Sequence, residues 1–114
     1  MKLETQTHDG VTLITALEPR IDAAVAIQFK DTMREVTESA QTRFVIDMSN
    51  VEFVDSSGLG AIVSVMKMVG PDRQLELAGL TPNVEKVFRL TRMDTVFTIH
   101  PHIGDAIDTS GLPN

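Results

Sequence analysis

Arg43-Phe44-Val45-Ile46-Asp47-Met48-Ser49-Asn50-Val51-Glu52-Phe53-Val54-Asp55-Ser56-Ser57-Gly58-Leu59-Gly60 decides the fold class, because it joins two hydrophobic periods across a polar turn. Residues 43–48 form a short, β-rich, nearly continuous apolar run, as expected of a central strand covered on both faces. After the turn, Leu59, Ile62, Val63 and Met66 recur at helical spacing. Beyond Gly70-Pro71-Asp72, Leu75, Leu77 and Leu80 mark another strand. Strand, helix and strand in that order imply a parallel crossover.

Working toward the N-terminus, residues 2–7 and 11–17 are β-prone runs around His8-Asp9-Gly10, and Asp-Gly between such runs is a strong hairpin signal. Pro19-Arg20-Ile21-Asp22 supplies a breaker and then an N-cap candidate in Asp22. Val25 or Ala26, Phe29, Met33 and Val36 follow at helical spacing, predicting a helix of about four turns with its charged residues solvated. Toward the C-terminus, Thr81 precedes Pro82 as a capping side chain, and Val84, Val87, Phe88 and Leu90 give a third helix. Residues 96–99 read as a last strand and 103–107 as a short final helix. The expected architecture is a single α/β domain over residues 1–108, a mixed sheet opened by a β-hairpin with later parallel strands and about four helices. Residues 109–114, rich in Gly, Ser and Pro, read as a flexible tail.

Composition narrows the function. The chain has 114 residues, no Cys, ten Lys and Arg against sixteen Asp and Glu, and a formal net charge of −6. The absence of Cys removes disulfide and thiolate chemistry and suits a reducing, cytoplasmic setting. The acidic balance argues against nucleic acid as a partner. The N-terminus has no apolar signal segment, and the most apolar stretch, residues 59–66, falls far below the ~20 residues of a membrane span. No direct membrane insertion is expected. Aromatics are 4%, all Phe, too few for base-stacking platforms.

The polar turn is the one segment whose residues suggest chemistry. A nucleophile elbow needs Gly two residues before its Ser, and Val54 and Asp55 stand there. The P-loop and dinucleotide patterns fail too, because no Lys-Ser/Thr pair follows Gly60 and Val63 occupies the third Gly position. From the residues alone, two readings stay open. Ser56 or Ser57 caps the helix while Gly58 and Gly60 allow a tight entry. Alternatively, an exposed seryl hydroxyl at the helix N-terminus accepts a phosphate, which the free amides and the macrodipole tolerate. Asp47 with Asp55, and His100 with His102, lack the further ligands a metal site needs, so neither metal nor cofactor is expected, and His100-Pro101-His102 reads as a surface loop near a strand end. Met66 reads as core and Met68 as a candidate for a partner-facing patch. No catalytic constellation is evident.

Val45-Ile46-Asp47-Met48-Ser49-Asn50-Val51 followed by Phe53-Val54-Asp55-Ser56-Ser57-Gly58-Leu59-Gly60 resembles the signature of the STAS-domain family, in particular the bacterial anti-sigma factor antagonists. Arg20-Ile21-Asp22-Ala23 is similar to the entry into that family's first helix, and Phe88-Arg89-Leu90-Thr91 with Val96-Phe97 to its C-terminal helix and strand. The match departs at Met93, where many members carry Gly. The resemblance implies a non-enzymatic partner switch. It implies that Ser57 is phosphorylated by an anti-sigma factor that is a GHKL-type serine kinase, that a PP2C-type phosphatase reverses this, and that the unphosphorylated form binds the anti-sigma factor and frees the sigma factor. Asp22, Asp55, Ser56, Ser57, Gly58, Leu59, Gly60 and Met68 are the implied docking residues, on a protein expected to be monomeric when free. The alternatives are a STAS module serving a non-sigma target, such as a secretion, motility or lipid-transport complex, and, behind it, a nucleotide-binding domain.

Overall fold

A computed structural model describes residues 1–107; residue 108, the last of the expected domain, and the tail expected over 109–114 lie outside the described residues. The hairpin forms as expected. β1 (Leu3–His8) and β2 (Val11–Ala16) pair antiparallel around Asp9 and Gly10. Both turn residues have positive φ, 50° and 81°, the requirement of a two-residue primed turn that Asp-Gly meets at low cost.

β4 (Arg43–Asp47), β6 (Gln74–Ala78) and β7 (Thr98–His100) then add in parallel, giving a five-stranded sheet in the order β1-β2-β4-β6-β7. β4 is central, with Phe44, Val45 and Ile46 fully buried. The parallel strands are laid down in one direction across the sheet. Right-handed crossovers in a steady progression place every connecting helix on the same face. α1 (Ala26–Thr37), α2 (Ser56–Val69) and α3 (Pro82–Leu90) accordingly contribute Phe29, Met33, Ala61, Ile62, Val84 and Phe88 to one core with Ile14, Phe44, Ile46 and Leu77. The opposite face carries a small cluster of Val45, Ala78 and Ala106, with α4 (Ile103–Ala106) as its cover.

Several local expectations are corrected. Asp22 does not cap α1, whose N-cap is Val25, and the helix spans 12 residues, a little over three turns. Asp22 instead forms its own turn, accepting the Ala24 amide on Oδ1 at 3.1 Å and the Val25 and Ala26 amides on its carbonyl. The residues before it, Arg20–Ile21, form a short strand β3 that pairs in parallel with β5 (Phe53–Val54), a two-stranded sheet that a run of two residues does not announce. Thr81 sits at the N-cap of α3, but its hydroxyl donates to the Val51 carbonyl at 2.7 Å, tying the helix start to the loop after β4 rather than capping it.

At the C-terminal end, Leu80 lies outside β6 and Leu90 is 72% exposed. Val96 is not in the last strand, because a 3₁₀ turn, Met93–Thr95, delays β7 to Thr98. In the turn between α3 and β7 the left-handed backbone falls on Arg92, at φ 61°, so it is Arg92 rather than Met93 that takes the conformation glycine would favour there.

Two arginines organise the ends of the elements. Arg73, in the turn before β6, donates to the Val69, Met68, Thr37 and Ser39 carbonyls and so closes the C-termini of α1 and α2 together, with its guanidinium 5.4 Å over the Phe44 ring. Arg43 makes a two-pronged ion pair with the buried Glu76, at 2.7 and 2.8 Å, and donates to the Ala106 carbonyl, which holds α4 to the sheet. His100, expected in a surface loop, ends β7 instead with Nε2 2.7 Å from Glu76. The Arg43 guanidinium, with burial opposing it and His100 assisting, holds the Glu76 carboxyl below its ordinary range, while Glu76 raises the Arg43 pKa.

Candidate functional site

The helix start after β5 is built by Asp55. Its backbone is still extended, φ −95° and ψ −175°, as an N-cap requires, and its Oδ1 accepts the Gly58 amide at 2.8 Å while its carbonyl accepts the Leu59 amide at 2.8 Å. Asp55 is therefore the cap, and neither serine is. Asp and Ser are comparable caps by propensity; what favours Asp55 here is its second oxygen, which accepts the Ala23 amide at 3.3 Å from the segment ahead of α1. One carboxylate thus joins two chain segments 32 residues apart.

With the cap supplied, Ser56 and Ser57 occupy the first two positions of α2, both exposed, and neither hydroxyl is hydrogen-bonded among the described residues. The first-turn amides of a helix lack intrahelical acceptors, and the helix presents its positive end there. The arrangement offers two free hydroxyls in a setting that favours added negative charge.

Gly58 and Gly60 differ in kind. Gly58 is buried, and a Cβ on it would lie 1.8 Å from the Ile21 carbonyl oxygen, the same oxygen that accepts the Asp55 amide at 3.4 Å. Its lack of a side chain lets α2 start directly against β3. Gly60 is exposed, and a Cβ on it would meet nothing within 4 Å. Leu59 is half-buried and packs on the main core.

Of the residues expected at the site, Asp22, Asp55, Ser56, Ser57, Gly58, Leu59 and Gly60 come together where α2 begins. Met68 does not. It is half-buried near the other end of α2, eleven residues from Ser57 or about 16 Å along the helix axis. Residues that the sequence reading passed over join the site through the β3–β5 pair. Arg20 stacks 4.1 Å over the ring of Phe53, which is 39% exposed, and its Nε lies 3.3 Å from Asp22 Oδ2. Ile21 and Ala23 supply the backbone groups that seat the loop. Only contacts between distant segments reveal these roles, so no local pattern could have shown them.

Among the described residues, no group of three or more His, Cys, Asp or Glu could hold a metal ion, and no helix is long and apolar enough to cross a membrane.

A family model described as the STAS domain matches residues 2–106. A STAS-domain containing protein of Pseudomonas aeruginosa is 28% identical over 92 residues, covering 80% of this chain and 90% of that protein. The anti-sigma-F factor antagonist RsfB of Mycobacterium tuberculosis is 25% identical over 100 residues, covering 88% of this chain and 81% of its own. Among solved structures, an anti-sigma factor antagonist from Mycobacterium paratuberculosis superposes with a TM-score of 0.83 at 26% identity, covering 92% of this chain and 89% of that one.

Proposed function

The chain belongs to the STAS domain family, and on that premise we propose that it is an anti-sigma factor antagonist working by phosphorylation-controlled partner switching. The unphosphorylated form binds, through Asp22 and residues 55–60, an anti-sigma factor that is a GHKL-type serine kinase, and the sigma factor is released. Phosphorylation of Ser57 breaks that complex and a PP2C-type phosphatase restores it. Met68 contributes from the far end of α2. The protein is the kinase's substrate and not itself an enzyme; it acts in the cytoplasm and is monomeric when free.

The observation that carries the reading is the division of labour at the start of α2. Asp55 does the capping, which leaves the serine hydroxyls exposed and free to react. A phosphate adds about −1.5 to −2 charges. At the helix N-terminus it gains only about 0.3–1 kcal/mol from the dipole, so the fold tolerates it. Against a partner group of like charge at about 4 Å and an effective dielectric near 20, each unit pair costs about 4 kcal/mol. A net loss of about 2–5 kcal/mol weakens binding roughly 30- to 5,000-fold, enough to switch partners without refolding the chain.

The test is peptide mass spectrometry on protein purified from its native host, with pull-downs comparing wild type, Ser57→Ala and Ser57→Asp. Phosphate on Ser57, and a histidine-kinase-like ATPase retained by wild type and Ser57→Ala but lost by Ser57→Asp, is the expected result. A Ser56→Ala control assigns the acceptor within the pair, and phosphate found on Ser56 alone refutes the assignment to Ser57. The same partners bound by all three forms, with both serines unmodified under growth and stress, would refute the switch. Capture of a secretion, motility or lipid-transport component would place the output elsewhere.

A further inference from the structure

Glycine is among the least favourable residues for the interior of a helix, so two in the first turns of α2 call for a reason each. Gly58 has an internal one, the Ile21 carbonyl oxygen that a side chain would strike. Gly60 has none. Its backbone is right-handed, the space where a Cβ would stand is empty, and the position faces solvent. Ser57 and Gly60 are three residues apart and so are neighbours on the helix surface. One turn further on, the Ser64 hydroxyl folds back onto the Gly60 carbonyl at 2.9 Å. Beside the serine pair, position 60 therefore carries no side chain over the outer side of the helix, at a cost to helix stability that no contact among the described residues offsets.

We infer that Gly60 is a specificity-determining clearance: it lets the backbone of the GHKL-type kinase partner come close enough to α2 to reach the acceptor hydroxyl, and a side chain there selects against docking. The inference rests on the partner-switch reading and adds to it the residue that sets the distance of approach. It separates two requirements that the shared loop otherwise merges. Gly58 serves the fold and Gly60 serves the encounter.

The experiment uses the full chain and the recombinant kinase identified by capture on wild-type protein, with Gly60→Ala and Gly60→Leu as variants. Thermal unfolding comes first. Gly60→Ala is expected to raise Tm by about 2–4 °C, because alanine is the better helix former and nothing obstructs it. Affinity is then measured by titration calorimetry and phosphorylation by initial rates. Gly60→Leu is expected to weaken kinase binding about 5- to 100-fold, the scale of an overpacked contact, with Gly60→Ala intermediate and kcat/KM for phosphorylation falling in step. Wild-type affinity in Gly60→Leu, within twofold, would overturn the inference while leaving the switch intact. A lowered Tm in Gly60→Ala would also overturn it, by showing that the fold itself needs the glycine. Failure of wild type and both variants to bind any such kinase would overturn the switch and this inference together.

Discussion

Replacing Gly58 with alanine tests how the loop is seated. The added Cβ would lie 1.8 Å from the Ile21 carbonyl oxygen and 2.7 Å from its carbon, where real Cβ atoms essentially never come within 3.0 Å. The gap must therefore open by at least 1.2 Å, and both partners are backbone, so no side chain can swing aside. Opening it pulls on the Asp55 amide bond to Ile21 and on the Ala23 amide bond to the Asp55 carboxylate. Overpacking of this kind costs about 1–3 kcal/mol, and weakening two hydrogen bonds adds about 1–2. Alanine's better helix propensity returns at most ~1 kcal/mol. The net expectation is a loss of about 1–4 kcal/mol, which for a chain of this size lowers Tm by about 4–16 °C. Urea and thermal unfolding followed by circular dichroism measure it directly. An unchanged or raised Tm in Gly58→Ala would refute the contact as the reason for glycine at this position.

Other expectations follow from the same contacts. Arg73→Ala leaves the carbonyls at the ends of α1 and α2 without their shared donor and uncovers the Phe44 ring, so urea unfolding is expected to show a loss of about 2–3 kcal/mol, little of it recovered by Arg73→Lys, whose ammonium cannot span the set. Glu76, with its folded-state pKa lowered, contributes stability that is full above its unfolded value near 4.5 and is lost as pH falls through the lowered folded value. Stability measured from pH 7 down to pH 2 should therefore fall more steeply below 4.5 in wild type than in Glu76→Gln, itself less stable at pH 7 by about 2–4 kcal/mol because Arg43 is left without its counter-charge. Parallel profiles would contradict that account. Arg92→Gly removes the cost of a left-handed non-glycine residue, about 1 kcal/mol, and should raise Tm by about 4 °C; a decrease would mean that the arginine side chain contributes more than its backbone costs.

The sheet was legible because its signals are local and periodic. The Asp9-Gly10 turn, the continuous apolar run of β4 and the helical recurrences of Phe29 with Met33 and of Val84 with Phe88 each specify an element without reference to the rest of the chain. What stayed hidden depends on pairs distant in sequence. The strand at Arg20–Ile21 exists because Phe53–Val54 lies beside it. Asp55 outcompetes the serines as a cap through Ala23, and Thr81 gives up capping for the Val51 carbonyl. The His100-Pro101-His102 stretch looked like surface because nothing nearby in sequence reveals Glu76, 24 residues earlier, as the partner of His100. The candidate site shows the same division. Its hydroxyls and glycines were readable from one short motif, whereas the groups that seat that motif come from the segment before α1.

Since the loop is seated by Ile21 and Ala23 across more than thirty residues of intervening chain, its shape does not exist in a nascent or unfolded polypeptide, where the same serines are equally open to solvent. Any enzyme that recognises the helix start by form rather than by the short run of residues meets it only in finished molecules. On the partner-switch reading proposed above, misfolded copies, present but without this form, would neither consume phosphate nor occupy the partner, so the size of the signal would follow the amount of correctly folded protein rather than the amount synthesised.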